Sequence, residues 1–334
     1  MKRWRIGLLG LAVSLVAIYF IVSQVDLEQL GRALLTARYQ YLLPSAALLI
    51  VGLVTRAVRW QVLLNHALPL KRAFSITNVS YLVNGVLPLR MGEVARAVLA
   101  NRAVPPVPLL KSASSIIVER MLDLLAVLVL LAFALATSPT LPDEYRSAAL
   151  VTVPILLVGF GVLIVLARQR TRVHHWMGIM LNRVPALEKF NLLKLADHFL
   201  DGLLPLTQLP LLLRALFWTA FSWGLSVAAG YILMFAFYDR ASWPATALYI
   251  AAASFVIAVP AVPGNIGTYE WAIMLAVSAF GYGAATDPVN VSFAVVVHAL
   301  NLAIYAVMGI IGFLQEGVTL NQLSAEVQRY KSTA

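Results

Sequence analysis

The stretch VNGVLPLRMGEVARAVL, residues 83–99, introduces a turn into an apolar run that extends over residues 73–99. Gly85, Pro88 and Gly92 interrupt this run, because proline removes a backbone donor and glycine loosens the backbone. The two pieces of about 10 to 14 residues each rise only about 15 to 20 Å, whereas the hydrocarbon core of a bilayer is about 30 Å thick. Neither piece can cross alone, so the pattern predicts a re-entrant helical hairpin.

The rest of the chain has the composition of a polytopic membrane protein. It has 334 residues, 61% hydrophobic and 12% charged, with a mean hydropathy of +0.84, whereas soluble domains carry about 25% charged residues. Six further apolar runs have about the length that crosses a bilayer. They are residues 6–23, 41–64, 113–136, 148–167, 211–237 and 289–314, and the first is interpreted as a retained span rather than a signal peptide. The sequence therefore predicts an all-α protein with six transmembrane helices.

The net charge of +10 is explained by membrane orientation. If the interrupted runs are re-entrant and the N-terminus is cytoplasmic, every Lys and Arg lies on the cytoplasmic side except Arg32, Arg38, Arg146 and Arg240. This distribution predicts a cytoplasmic (inner) membrane protein with both termini in the cytoplasm. Because it accounts for the positive charge, no nucleic-acid partner is predicted. Cysteine is absent, so neither disulfides nor thiolate metal sites are predicted.

A second interrupted run, residues 244–281, contains PGNIG at 263–267, which matches PLRMG at 88–92 as P-x-polar-apolar-G. Each half of the chain has two spans, a hairpin and a third span. Since three spans are an odd number, the halves have opposite orientations, which predicts an inverted repeat with two oppositely oriented re-entrant hairpins, a recurrent plan of secondary transporters. The predicted parts are a first repeat, 1–140, with a cytoplasmic-side hairpin, 73–99; a second repeat, 141–315, with interfacial amphipathic helices, 174–204, and an outer-side hairpin, 244–281; and a cytoplasmic tail, 316–334.

Ionisable residues within the apolar runs mark candidate sites, because a charge in hydrocarbon is costly unless it is paired or hydrated. Five arginines and three carboxylates could face one inner-leaflet cavity, namely Arg56, Arg59, Arg90, Arg96, Arg120, Glu93, Glu119 and Asp123. Their excess of positive charge and the planar guanidinium suit a phosphate. Structural pairing is the alternative, for instance between Glu93 and Arg120. Asp123 could likewise pair with Arg56 or Arg59, and those arginines could instead reach lipid headgroups.

The two hairpin turns carry further candidates. Asn84 and Asn265 are predicted to contact substrate. A larger set is predicted to be structural or gating: Pro88, Gly92, Pro263, Gly264, Gly267, Glu119 and Asp123. Glu270 has no basic neighbour in the sequence, and a buried carboxylate without a cation takes up a proton. Because histidine titrates near neutral pH, Glu270 and His298 could exchange protons for substrate, although a histidine within a span more often only packs.

Four motifs occur in a characteristic order: RAVRWQVLL (residues 56–64), NGVLPLRMGEVARA (84–97), ERMLDLL (119–125) and PGNIGTYEWA (263–272). With them the chain resembles the lysylphosphatidylglycerol synthase transmembrane-region family, also called flippase-like integral membrane proteins, over about residues 5–315. In long members, such a domain moves an aminoacylated phospholipid and a soluble C-terminal domain attaches the amino acid. This sequence looks like the short form without the aminoacyl-transfer domain. Shorter relatives are associated with export or flipping of various lipids, so the resemblance implies a lipid substrate.

The sequence thus favours a flippase that moves a phosphate-bearing phospholipid or polyprenyl-linked lipid by alternating access, with Arg90 and Arg96 on the phosphate. The alternatives are an enzyme for lipid-linked glycosyl or phosphoryl transfer, in which Glu93, Glu119 and Asp123 would bind Mg²⁺, and a non-transporting scaffold for such an enzyme. No catalytic residue, resident metal or cofactor is predicted. Membrane lipid is the expected partner; a second copy of the chain and a lipid-modifying enzyme are further candidates.

Overall fold

A computed structural model describes residues 26–86, 90–138, 143–169, 171–172, 175, 207–258, 263–320, 322–323 and 325. Regular secondary structure in these residues is entirely helical, as the composition predicts. Four of the sequence predictions lie wholly or mostly outside the described residues. These are the first span at 6–23, the amphipathic helices at 174–204 except for His175, the turn residue Pro88, and the tail at 316–334.

Ten α-helices run through the described residues. They are α1 Leu27–Thr36, α2 Leu42–Leu63, α3 Leu70–Val86, α4 Met91–Asn101, α5 Leu109–Thr137, α6 Asp143–Arg168, α7 Leu209–Met234, α8 Trp243–Ala258, α9 Thr268–Ser278 and α10 Pro288–Glu316. A short 3₁₀ turn, Tyr39–Tyr41, precedes α2, and another, Pro263–Asn265, precedes α9.

Three helical segments are long and apolar enough to cross a membrane by length and composition: Tyr39–Leu63, Leu209–Met234 and Pro288–Glu316. The predicted third and fourth spans also form single helices, α5 with 29 residues and α6 with 26. Large apolar side chains such as Phe217, Val307 and Leu314 are exposed on the outer faces of α7 and α10, where lipid would cover them. The multi-pass helical architecture is confirmed at this level, and the number of crossings stays a prediction.

Each interrupted run forms two helices that pack against each other. We call α3 and α4 the first hairpin, and α8 and α9 the second hairpin. In the first hairpin, the Gly92 N–H donates to Asn84 Oδ1 at 2.8 Å. A Cβ at Gly92 would overlap the Ser80 carbonyl oxygen, so only glycine permits this close approach of the two arms. Breaks in the helices therefore lie where the sequence places them, while the re-entrant orientation stays a prediction.

We call residues 84–86 with 90–92 the first tip and residues 263–267 the second tip, and the second tip lies against the α3 side of the first. The Pro263–Asn265 turn packs on α3, and Gly264 approaches the Gly85 carbonyl oxygen at the end of that helix. Gly264 has a φ of 67° and Gly267 a φ of 88°, values that glycine adopts without a steric penalty. The chain can therefore reverse sharply at the second tip and bring its backbone next to the first tip.

Helix pairing keeps the same pattern when the two halves of the chain are exchanged. α2 packs along α7, the two equivalent spans of the halves. α10 packs on α3, the first arm of the first hairpin, and α5 packs on α8, the first arm of the second hairpin. Exchange-symmetric pairing of this kind is what two inverted repeats would produce.

Candidate functional site

Glu119 on α5 is the centre of a buried ionic cluster. Arg96 on α4 donates to its two carboxylate oxygens at 3.1 and 2.8 Å, and Arg59 on α2 approaches Oε1 to 3.1 Å. The exposed fractions of Glu119, Arg59 and Arg96 are 0, 1 and 2%, respectively. Three helices are therefore joined by charges that have almost no contact with solvent or lipid.

Asp123, one turn further along α5, extends this cluster. Its Oδ1 accepts from Arg59 Nη1 at 2.6 Å and from the Trp223 indole N–H at 3.1 Å, which brings in α7. Arg120 Nη2 lies 3.4 Å from Asp123 Oδ2 and 3.0 Å from Glu119 Oε1. We call Arg59, Arg96, Glu119, Arg120 and Asp123 the ionic network.

Aromatic side chains complete the enclosure of Arg96. The Arg96 guanidinium lies 3.9 Å from the centroid of the Trp60 ring, a cation–π contact that replaces part of the lost hydration. The Trp60 indole N–H donates in turn to Ser115 Oγ at 3.0 Å. Arg96 is thus held on one side by a carboxylate and on another by an aromatic face, and its guanidinium is not open to a ligand.

A more open edge continues from the ionic network toward the first tip. Arg90 Nη2 lies 2.9 Å from Glu93 Oε1, and Arg120 Nε lies 3.7 Å from the same oxygen. The side chains of Arg90, Glu93 and Arg120 are 24, 26 and 33% exposed. The ionic network and this edge together hold four arginines and three carboxylates, so one positive charge is left in excess, and the edge is where a ligand could reach it.

Arg56, one turn before Arg59 on α2, has different surroundings. Its guanidinium donates to Ser226 Oγ at 3.3 Å and more weakly to the Tyr81 hydroxyl at 3.5 Å. The Tyr81 and Trp223 rings lie 5.9 and 5.6 Å from it. Within the described residues, Arg56 forms no ion pair with a carboxylate. The groups in contact with it are therefore neutral and aromatic, and the Asp123 carboxylate acts on it only from a longer distance.

A small cavity adjoins Arg56 between α2, α7 and α10. It has room for at most about one water molecule. Its lining is Leu49, Gly52, Leu53, Arg56, Ser226, Asn301, Ile304 and Tyr305. Tyr305 stacks on Tyr81 with ring centroids 5.2 Å apart and lies within electrostatic range of both Arg56 and Arg120. The cavity thus combines one guanidinium with hydroxyl and amide donors, the groups that bind a phosphate oxygen.

The predicted turn residues occupy structural positions at the hairpin tips. Asn84 holds the first tip through its bond to Gly92, so its side-chain oxygen is already in use. Asn265 has a left-handed φ of 50°, and its carbonyl accepts from Thr268 Oγ1 at 3.0 Å. Together with Pro263, Gly264 and Gly267 it forms the second tip, and the Asn265 side chain is half-buried there.

Glu270 and His298 are 28 residues apart in the sequence and in direct contact in the structure. His298 Nδ1 lies 2.7 Å from Glu270 Oε1, and Glu270 Oε2 accepts from the Gly267 N–H at 2.6 Å. The Tyr269 ring stacks on the imidazole, with centroids 4.3 Å apart. The carboxylate that lacks a basic neighbour in the sequence therefore has one from α10.

Sequence reasoning missed the uncharged groups that surround the arginines: Trp60, Tyr81, Ser115, Trp223 and Ser226. Weak signals for some of them are present. Trp60 directly follows Arg59, and Ser222 and Ser226 lie four residues apart within an apolar span, so they share one helix face. All three carboxylates proposed for Mg²⁺ bind arginines instead, Glu93 at the open edge and the other two in the ionic network.

Comparison with protein families gives a match over nearly the whole chain. A family model described as the lysylphosphatidylglycerol synthase TM region matches residues 7–309, which include both hairpins and every site residue described above. The comparison with curated proteins gave no match. Membership of this family implies a role related to membrane lipids. The chain belongs to the lysylphosphatidylglycerol synthase transmembrane-region family.

Proposed function

We propose that the protein is a flippase that moves a phosphate-bearing lipid across the cytoplasmic membrane. The lipid phosphate binds Arg56 at the cavity, and Arg90 and Arg120 at the open edge guide it there. The acyl or polyprenyl chains remain in the bilayer. The observation that carries the proposal is that Arg56 faces a cavity without a carboxylate partner among the described residues.

The environment of Arg56 favours an anionic ligand on energetic grounds. A partly buried guanidinium with no carboxylate in contact is costly, and two hydrogen bonds to neutral hydroxyls together with the more distant Asp123 carboxylate offset only part of that cost. A phosphate would supply a negative charge in direct contact and two oxygens that accept from the guanidinium in a bidentate pair. Asn301 and Tyr305 line the same cavity and would donate to the remaining oxygens, whereas the Ser226 hydroxyl already donates to the Ser222 carbonyl at 3.1 Å.

Arg59 and Arg96 take a structural role in this proposal. Their guanidiniums bind Glu119 and Asp123, and Arg96 is also covered by Trp60. Releasing either of them to a lipid would leave a buried carboxylate unpaired, which costs several kcal/mol. The sequence-based assignment of Arg96 to the phosphate is therefore replaced by Arg56, and the ionic network holds the first hairpin to α2 and α5.

The cavity must open for a headgroup to enter, since in this conformation it has room for at most about one water molecule. Its walls come from both halves of the chain, with α2 from the first and α7 and α10 from the second. Rocking of one half against the other would therefore widen it. Site formation at the junction of two repeats is the arrangement from which alternating access arises in secondary transporters.

Arg56→Ala should reduce lipid translocation by tenfold or more, because a charge-assisted hydrogen bond to phosphate contributes about 1.5 to 3 kcal/mol. Arg56→Lys should recover only part of the rate, since lysine keeps the charge but lacks the bidentate fork. The measurement is translocation of a fluorescent phospholipid by purified protein in vesicles. Translocation by the purified protein alone would also exclude the alternative that it acts only as a scaffold.

The matched control is Arg32→Ala, which removes an arginine whose side chain is 69% exposed on α1. We expect this variant to translocate lipid at the original rate. An Arg56→Ala protein that is folded and equally active would contradict the assignment of the phosphate site. A requirement for a divalent cation and a chemically altered lipid product would favour the enzyme alternative instead.

A further inference from the structure

The pair formed by Glu270 and His298 shares no ion pair with the ionic network within the described residues, and neither side chain lines the cavity beside Arg56. Glu270 is 8% exposed and His298 5% exposed. Within the described residues, neither forms an ion pair with any other group. Two ionisable side chains in such an environment are functional candidates, because packing alone would be served by apolar residues at lower cost.

Glu270 connects the second tip to α10. One carboxylate oxygen holds the Gly267 N–H in the turn, and the other binds His298 on α10. The same turn carries Gly264, which lies against the Gly85 carbonyl oxygen of the first tip. A change in the bond between Glu270 and His298 therefore acts directly on the segment where the two hairpins meet.

The pair can gain or lose one proton without losing its hydrogen bond. In the tautomer whose Nδ1 carries the proton, a neutral His298 donates to Glu270 Oε1 and the pair has a charge of −1. A second proton on His298 Nε2 makes the pair neutral overall, as a carboxylate and an imidazolium. The bond becomes charge-assisted in the second state and is then stronger.

Among the residues that the structure describes, few other ionisable groups surround the pair. Tyr269 stacks on His298, and both Tyr305 on α10 and Tyr249 on α8 lie within electrostatic range of Tyr269. α8 contributes no Asp, Glu, Lys, Arg or His. The remaining ionisable residues on helices that contact α9 or α10 do not form ion pairs with Glu270 or His298: Glu28, Arg32, Arg56, Arg59, Lys71, Arg72, Tyr81, Arg214, Tyr231 and Glu316.

One face of α10 links the pair to the phosphate site. His298, Asn301 and Tyr305 follow at three- and four-residue spacing, so they lie along the same side of the helix. Asn301 and Tyr305 line the cavity beside Arg56. Movement of α10 relative to the second tip would thus reach both sites.

We propose that Glu270 and His298 form a proton-binding site that controls the position of the second tip and couples proton uptake to lipid movement. Protonation strengthens the bond between α9 and α10 and holds the tip closed against the first hairpin. Loss of that proton loosens the tip. The coupling to lipid rests on the proposed flippase function, whereas proton control of the tip does not.

The absence of cysteine from the chain allows a direct test of the tip. Ile266 lies in the turn and is 50% exposed, so Ile266→Cys would report access to the tip through its rate of reaction with a maleimide. Val104→Cys, at a loop position with 94% exposure, corrects for the effect of pH on thiol reactivity itself. Both proteins are labelled in detergent at pH 6 and pH 8, within the range where histidine titrates.

We expect the corrected labelling rate of Ile266→Cys to be about fivefold higher at pH 8 than at pH 6. A neutral hydrogen bond is weaker than a charge-assisted one, and this difference in strength corresponds to about a fivefold change in how often the tip opens. Adding Glu270→Gln to the Ile266→Cys protein should make the corrected labelling rate the same at both pH values. The glutamine amide can accept from Gly267 and donate to a neutral His298, so the turn survives while the charge is lost. His298→Gln should also remove the dependence and serves as the second variant.

An unchanged ratio in both variants, or a corrected rate that does not depend on pH in the single Ile266→Cys protein, would overturn proton control of the tip. Coupling is tested separately by imposing a pH gradient on vesicles during lipid translocation. A gradient should change the rate for the original protein and leave Glu270→Gln unaffected. Translocation that ignores the gradient would overturn the coupling only, whereas absence of translocation at every pH would overturn the flippase function and leave the labelling result intact.

Discussion

Replacing Glu119 with alanine should lower the free energy of unfolding by about 3 to 5 kcal/mol, the cost of breaking a buried ion pair from one side. The loss is large because Arg96 would lose its bidentate carboxylate while it remains 2% exposed. Arg59 would also lose one of its two carboxylates and keep only Asp123. The measurement is denaturant unfolding in detergent, followed by circular dichroism.

The control for Glu119→Ala is Glu28→Ala on α1. Glu28 pairs with Arg32 at the surface, where its side chain is 76% exposed. Removing an exposed partner of this kind should change stability by less than about 1 kcal/mol. Equal stability of the two variants would show that the ionic network does not hold the first hairpin.

A double variant separates the unpaired charge from the lost side-chain volume. Arg96→Met combined with Glu119→Met removes the cation and the anion of the bidentate pair and fills the space with apolar atoms. We expect it to be more stable than Glu119→Ala, because the penalty comes mainly from an isolated buried charge. If the double variant is the less stable of the two, packing rather than charge determines the effect.

Gly92→Ala should disrupt the first hairpin and lower the free energy of unfolding by about 3 kcal/mol, the upper end of the usual cost of overpacking. The added Cβ would overlap the Ser80 carbonyl oxygen and crowd the Asn84 amide, both of which belong to the opposite arm. Because the obstacle includes backbone, no side-chain rotation can relieve it. The arms would have to separate, and the bond from the Gly92 N–H to Asn84 would be lost.

Gly85→Ala is the matched control, since it lies in the same hairpin and a Cβ there meets no atom within 4 Å. We expect its stability to change by less than about 1 kcal/mol, because alanine is the better helix former. Denaturant unfolding in detergent measures the free energy of unfolding of both variants. Indistinguishable unfolding curves would mean that the close approach at Gly92 contributes little to the fold.

The helices and their interruptions followed from local patterns in the sequence. Apolar runs of about 20 residues predict spans because hydrocarbon length sets helix length. The breaks near Gly92 and Gly264 were equally local, since proline and glycine act on the backbone wherever they occur. The structure places helix ends within a few residues of the predicted limits in both hairpins.

The choice of partners among the charges depended on tertiary packing. From the sequence, Asp123 could pair with either Arg56 or Arg59, which lie on the same helix three residues apart. The structure pairs Asp123 with Arg59 at 2.6 Å and turns Arg56 toward Ser226 and the cavity. One turn of α2 therefore separates a structural arginine from the one proposed to bind phosphate.

The sequence by itself determined that this chain is helical, lies in a membrane, breaks two of its apolar runs and carries arginines near one break. These properties depend on hydropathy and backbone chemistry, which neighbouring residues decide. Only the tertiary structure decided which arginines are neutralised and that Glu270 meets His298. Such contacts join helices that are distant in the sequence, and burial makes their energy depend on which groups pack together rather than on the residues beside them in the chain.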